Sequence, residues 1–292
     1  MPHDIGSLID TSETGVRRDV GCELTFEVLE ASLIAFQVAP ATSAGSIVEE
    51  RFEITNGGEP MCVPTEEIAA EHGGRIHFVS APIGPLLFTY VAVLIAHPSP
   101  SMEPVRDASM SLDAVVALRQ SRYCPSDALA GFATAEFAGS VGDAPDDIAL
   151  QVASWVFERL AYTTGSSGPL DTAIDTLLAG AGVCRDFAHL TITLCRALGV
   201  PARLASVYAP GLSPMDFHAV VEVLTPAGWR VLDPTRLAPR AALVRIATGR
   251  DATDTAFATT LWGTAELVAS RVFASSEGHL PADDHARPLS LA

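Results

Sequence analysis

The chain has no CxxC pair, and its five cysteines (Cys22, Cys62, Cys124, Cys184 and Cys195) are scattered and odd in number. That pattern argues against both a disulfide framework and a structural zinc site. Basic residues are few, 18 against 35 acidic, giving a formal charge of −17 with no cluster of basic residues. Such a field repels polyanions, so neither nucleic acid nor an anionic membrane surface is expected as a partner. Long apolar runs are also missing. The most apolar stretch, 83–96, contains a proline and is too short to span a bilayer as a helix. The opening residues lack a basic region followed by an apolar run, so no signal peptide is read and a reducing cytoplasm is the expected location. No internal repeat is visible.

What is present suits a folded protein. The 292 residues are 48% hydrophobic and 18% charged, enough for one large domain or two ordinary ones. Residues 1–20 read as a polar, flexible tail. From 21 to 97, short alternating runs (24–28, 33–38, 48–54, 76–79 and 86–95), broken by Gly and Pro turns, predict a small antiparallel β-sandwich domain. A Pro/Ser-rich stretch makes 98–127 the expected linker. From 128 to 274 helical patterns come first (127–137, 146–162 and 171–178) and strands follow from about 202, which predicts an α+β domain. Residues 275–292 read as a second flexible tail.

The chemistry gathers in this second half. Gly180-Ala181-Gly182-Val183 leads into a helix that begins near Cys184 and stops at Gly199 and Pro201. Phe187, Leu190, Thr191, Leu194 and Leu198 recur at helical spacing and predict one buried face. In the first turn of a helix, unpaired N–H groups and the helix dipole favour thiolate over thiol, and the same groups can face a developing oxyanion. Cys195, inside the same helix, reads as core.

A cysteine nucleophile needs a base and an orienting group. Residues 217–224 and 229–234 read as a hairpin around Thr225-Pro226-Ala227-Gly228. If Leu224 faces Trp229, then Val220 faces Asp233, and His218 becomes the diagonal neighbour of Asp233 on one face, about 7–8 Å away at the backbone. His189 is well around the helix from Cys184 and reads as a core histidine. Asp186 reads as a dipole-compensating residue. A metal site built from Cys184, Asp186, His189 and His218 lacks recognisable ligand spacing. Neither a metal nor a cofactor is expected.

At 182–190 (GVCRDFAHL), 195–203 (CRALGVPAR), 217–223 (FHAVVEV) and 229–235 (WRVLDPT) the sequence resembles the bacterial transglutaminase-like superfamily, a group allied to cysteine proteases. Residues 121–124 and 249–254 resemble flanking segments of that family, and 21–97 resembles its N-terminal β domain. The resemblance implies a papain-like core with Cys184, His218 and Asp233 as catalytic triad. It also implies a peptide, protein or amide substrate and no calcium requirement. Two departures, Val220 where the family has an aromatic and Val207 where it has a glycine, bear on the substrate groove. Hydrolysis is the expected outcome, with acyl transfer on the same triad or an inactive interaction module as alternatives. The second oxyanion donor is unassigned at this stage.

Overall fold

The computed structural model describes residues 15–61, 65–97, 111–140 and 142–291. Residues 1–14 of the expected first tail, 98–110 of the expected linker, Cys62 and Ala292 lie outside them.

Strand β1 (Val16–Phe36) is the spine of the first half. Val20, Cys22, Leu24, Phe26 and Val28 are buried while Glu23 and Glu27 are not, the period-two pattern of a strand with one core face. It is followed by β2 (Gly45–Asn56), β3 (Glu59–Pro60), β4 (Thr65–Ala69), β5 (Arg75–Ala81) and β6 (Gly84–Ala96). The antiparallel ladder runs β3-β2-β6-β1-β5-β4. One edge of β1 pairs with β6 over Val16–Val28 and then with β5 over Ser32–Phe36. Phe26, Phe36 and Phe88 meet inside, with Phe36 stacked on Phe88 at 3.8 Å.

The expected start at residue 21 is late by five residues. Val16-Arg17-Arg18-Asp19 looks like a tail because it is charged. The Arg18 guanidinium is nonetheless drawn in to donate to Ser276 Oγ at 2.6 Å and to the Ala241 carbonyl at 3.4 Å.

The second half contains α1 (Leu112–Leu118), α2 (Ala130–Glu136), α3 (Pro145–Arg159), β7 (Ala161–Tyr162), α4 (Ala173–Ala179), β8 (Ala181–Gly182) and α5 (Cys184–Ala197). Then come β9 (Ala202–Tyr208), β10 (His218–Thr225), β11 (Gly228–Leu232), β12 (Val244–Gly249), α6 (Ala252–Thr255) and β13 (Ala258–Ser276). The second sheet is ordered β11-β10-β9-β12 and packs against α5. Helix-first, strand-second order gives the α+β fold that the sequence predicts.

Three boundaries are corrected. Helix α1 lies within the expected linker, started by Ser111, whose hydroxyl accepts from the Ala114 amide at 3.1 Å. Strand β13 returns to the first half and covers the other edge of β1 over Arg18–Phe36, so the expected 128–274 unit is not one sheet. The expected flexible end packs down: Val231 N–H donates to the Leu289 carbonyl at 2.8 Å, and Leu291 is buried. Isolated leucines between polar residues leave no periodic signal, so this docking is invisible to pattern reading. The halves also share a core. Tyr208, Val244 and Ile246 of the second sheet join the apolar cluster of the first, and Tyr208 Oη donates to the Val38 carbonyl at 2.8 Å. Among the described residues no helix is long and apolar enough to cross a membrane.

Candidate active site

Helix α5 begins where its sequence says it should. Gly180 ends α4 in the left-handed conformation (φ 66°), a position that favours glycine. Gly182 is required sterically, because a Cβ there would lie 2.6 Å from Asp186 Cβ. The Asp186 carboxylate accepts from the Val183 amide at 2.8 Å, closing the first turn, and is itself held by Ser167 and Arg185. Cys184 is the first helical residue. The sequence predicts one buried face; the helix is instead buried nearly all round, between α2, α3, α4 and the second sheet. Three of its polar residues bond within the protein. Thr191 and Thr193 donate to the carbonyls of Phe187 and His189 at 2.8 and 2.7 Å. Arg196 donates to the Ala202 and Arg250 carbonyls.

Cys184 is half-buried, with Sγ 3.9 Å from the Phe217 carbonyl. The other described thiols are enclosed. Burial pushes Cys22, Cys124 and Cys195 up to about 12, which leaves them inert at neutral pH. Leu224 pairs with Trp229 and Val221 with Leu232, the register predicted from the turn. That hairpin puts His218, first residue of β10, and Asp233, just past β11, at one rim. His218 Nε2 lies 2.9 Å from Asp233 Oδ2, both side chains fully enclosed. Asp233 Oδ1 accepts from the Thr235 amide at 2.9 Å and from its hydroxyl at 2.7 Å, which fixes the carboxylate plane.

The remaining imidazole nitrogen, Nδ1, is buried with no hydrogen-bond partner among the described residues. It is the nitrogen left for Cys184, whose thiol is close enough to act on the imidazole's protonation. Burial works against charge on His218, but the Asp233 carboxylate and its hydrogen bond outweigh that, so the imidazole pKa is raised. Burial likewise opposes charge on Asp233. The imidazole and the two Thr235 donors overcome it and hold the carboxyl below its usual range.

Sequence reasoning missed Tyr162, placing it at the end of a helix. Helix α3 stops at Arg159, and Ala161–Tyr162 forms a two-residue parallel ladder with Ala181–Gly182. This ladder brings Tyr162 beside Cys184, whose backbone and thiol both act on the protonation of its phenol. Burial, then the cysteine, push the phenol up to about 12, so it keeps its proton and remains a donor at neutral pH. No local signal marks it, because the pairing spans about twenty residues.

The other candidates fall into place. His189 is fully buried, stacks on Tyr123, and accepts from the Ala252 amide at 3.2 Å. Burial lowers its pKa to about 4, so it is neutral and directed away from base chemistry. Cys195 is core. Val207 and Val220 pack with Ala205, Val231 and Leu291 on the sheet. Among the described residues no group of three His, Cys, Asp or Glu side chains is arranged to hold a metal ion.

Residues 135–234 match the Transglut_core family, the transglutaminase-like superfamily. The crystal structure of a protein from Cytophaga hutchinsonii, named "Putative Cysteine Protease", superposes with a TM-score of 0.83 at 31% identity, covering 95% of this chain and 98% of that one. An uncharacterized protein of Mycobacterium leprae is 32% identical over 125 residues. That match covers 38% of this chain and 43% of the relative, under half of its length. With a full-length structural relative above 30% identity and a family match that spans Cys184, His218 and Asp233, the chain belongs to the transglutaminase-like superfamily.

Proposed function

We propose that the chain is a cysteine hydrolase that cleaves a peptide or side-chain amide bond through a thioester on Cys184. One observation carries this reading: a buried His218–Asp233 pair whose unpartnered Nδ1 is left for a half-exposed thiol on the first turn of α5. In that arrangement the proton of the thiol passes to Nδ1 and the thiolate attacks the carbonyl carbon. The carbonyl oxygen, now negative, takes the Cys184 amide and the Tyr162 hydroxyl as donors. His218 then protonates the departing amine as the C–N bond breaks, leaving the thioester. Water, deprotonated by His218, releases the acid and restores the thiol.

Acyl transfer to an amine is the second reading. Asp216, an exposed carboxylate two residues before His218, acts electrostatically on both Tyr162 and His218 and would attract a cationic acceptor. We place the enzyme in a reducing compartment, since the four described cysteines are free thiols.

Iodoacetamide at pH below 7 tests the nucleophile. Stoichiometric alkylation of Cys184 that is lost in His218→Ala supports the reading. Alkylation of Cys184 no faster than that of a free thiol such as glutathione, with His218→Ala unchanged, sinks it and leaves an inactive module. Product analysis with a glutamine peptide and added primary amine then separates hydrolysis from transfer. All 18 basic residues are arginine, so no lysine of the chain itself competes as acceptor.

A further inference from the structure

A cavity lies away from Cys184. It is about 790 Å³, within the range of about 300–1,000 Å³ typical of small-ligand sites, and opens between the first sheet, α1 and the far end of the second sheet. Arg203 on its wall pairs in register with Glu222, while His218 pairs with Val207. Four residues of strand therefore separate the cavity wall from the triad, about 13 Å at strand rise.

Three features of the wall point to a ligand. Gln37 is 7% exposed and lines the cavity, yet its side-chain amide has no hydrogen-bond partner among the described residues. Buried amides are normally satisfied, so one aimed into a cavity is a donor and acceptor waiting for something. Arg203, 8% exposed, is fixed by Glu222 through Nε at 2.9 Å and by the Trp229 ring at 3.7 Å. Its Nη1 lies 3.4 Å from both ring nitrogens of His72, the geometry of a guanidinium against an imidazole face, and Nη2 has no partner among the described residues. His72 itself holds a left-handed backbone (φ 55°), which is strained for a residue with a side chain.

The charges on the wall choose the class of ligand. Arg203 and the exposed Arg119 supply positive charge, and Glu71 and Asp113 supply negative charge, while Arg250 and Asp254 on the same cavity pair with each other at 2.8 Å. A simple anion would meet the carboxylates, and a simple cation would meet the guanidiniums. A molecule carrying both an ammonium and a carboxylate, with amide groups between them for Gln37, answers both signs of charge on the wall. We propose that this cavity binds a short peptide with both termini free, at a site separate from Cys184. The carboxylate would take Arg203 and Arg119, the ammonium would take Glu71 and Asp113, and Gln37 would bond the peptide backbone.

The experiment uses the full chain as Cys184→Ala, so that turnover cannot consume the peptide and the outcome does not depend on the hydrolase reading. Trialanine is titrated by calorimetry beside its N-acetylated, C-amidated form. The expected result is saturable one-to-one binding of trialanine and affinity lower by roughly tenfold or more for the blocked form, which lacks both terminal charges. Gln37→Leu and Arg119→Glu should each weaken binding, while Tyr162→Phe should leave it unchanged. Arg119 is exposed, so its variant keeps the test available if Gln37→Leu fails to fold. No saturable binding overturns the proposal, as does equal affinity for the blocked peptide. Binding that depends on Tyr162 but not on Gln37 or Arg119 also overturns it, by placing the peptide at the thiol.

Discussion

Asp233 decides which charge His218 carries. Its carboxylate is enclosed, locked by Thr235, and aimed at Nε2, so the imidazolium is favoured where burial alone would remove it. Asp233→Asn should drop turnover by roughly 10²–10⁴, by analogy with the orienting carboxylates of other triads. The same pair predicts a pH signature in stability. His218, with its pKa raised, contributes fully below its unfolded value of about 6.5 and loses that contribution as pH rises through the folded value. Asp233, with its pKa lowered, contributes fully above about 3.9 and loses that contribution as pH falls through the folded value. Urea melts should therefore show wild type furthest above Asp233→Asn between about pH 4 and 6.5, with the gap closing on both sides. A gap that does not change with pH would mean that the pair is not ionised. Tyr162→Phe tests the neighbouring donor. If the hydroxyl stabilises the oxyanion, kcat should fall by roughly 10²–10³ while alkylation of Cys184, which forms no oxyanion, stays near wild type. A hydroxyl that merely obstructs the thiol would give faster alkylation and no loss of kcat.

At the scale of elements, the site was legible wherever its signal is local. Glycines before a cysteine, a Gly-Pro stop and a two-strand hairpin each announce themselves within a dozen residues, and Cys184, His218 and Asp233 follow from them. Tyr162 was not legible, because a two-residue ladder with Ala181–Gly182 places it and helix-like sequence precedes it. The all-round burial of α5 was hidden for a related reason. Thr193 and Arg196 look solvent-facing until their hydrogen-bond partners, a helix carbonyl and a distant loop, are known. The start of α5 offers a sharp test. Gly182→Ala sets a methyl against Asp186 and displaces the carboxylate that caps Val183. Loss of a cap costs about 0.5–2 kcal/mol, to be read from urea melts, and Cys184 alkylation should slow because the first turn loosens. An alkylation rate equal to wild type would show that thiol reactivity does not depend on this cap.

At the scale of the whole molecule, the β-rich half is part of the site's support. Phe217, whose carbonyl meets the Cys184 thiol, stacks on Phe257 at 4.8 Å and packs into the core shared with β1 and β6. Pattern reading separates the halves because strands cluster at one end of the sequence. The returning strand β13 and the docked C-terminal segment reconnect them. The key link in that segment is Arg240, enclosed beneath residues 277–291 and held by Asp283 through Nε at 2.9 Å and Nη2 at 2.8 Å. Asp283→Ala would leave this buried guanidinium with only Asp284, 3.9 Å from Nη2 and half-exposed, as counter-charge. Breaking a buried pair from one side costs about 3–5 kcal/mol, and the outer position of this one puts the expectation near the lower figure. The sign with pH follows from the carboxyl. Burial opposes its charge, but the Arg240 guanidinium and the backbone donors hold the pKa well below the ordinary range. The stabilisation is therefore present above about pH 3.9 and fades as pH falls through the folded value. Denaturant melts of wild type and Asp283→Ala at neutral pH and near pH 3 should show the gap narrowing in acid. A gap near zero at neutral pH would mean that the C-terminal segment rests on the sheet without holding it.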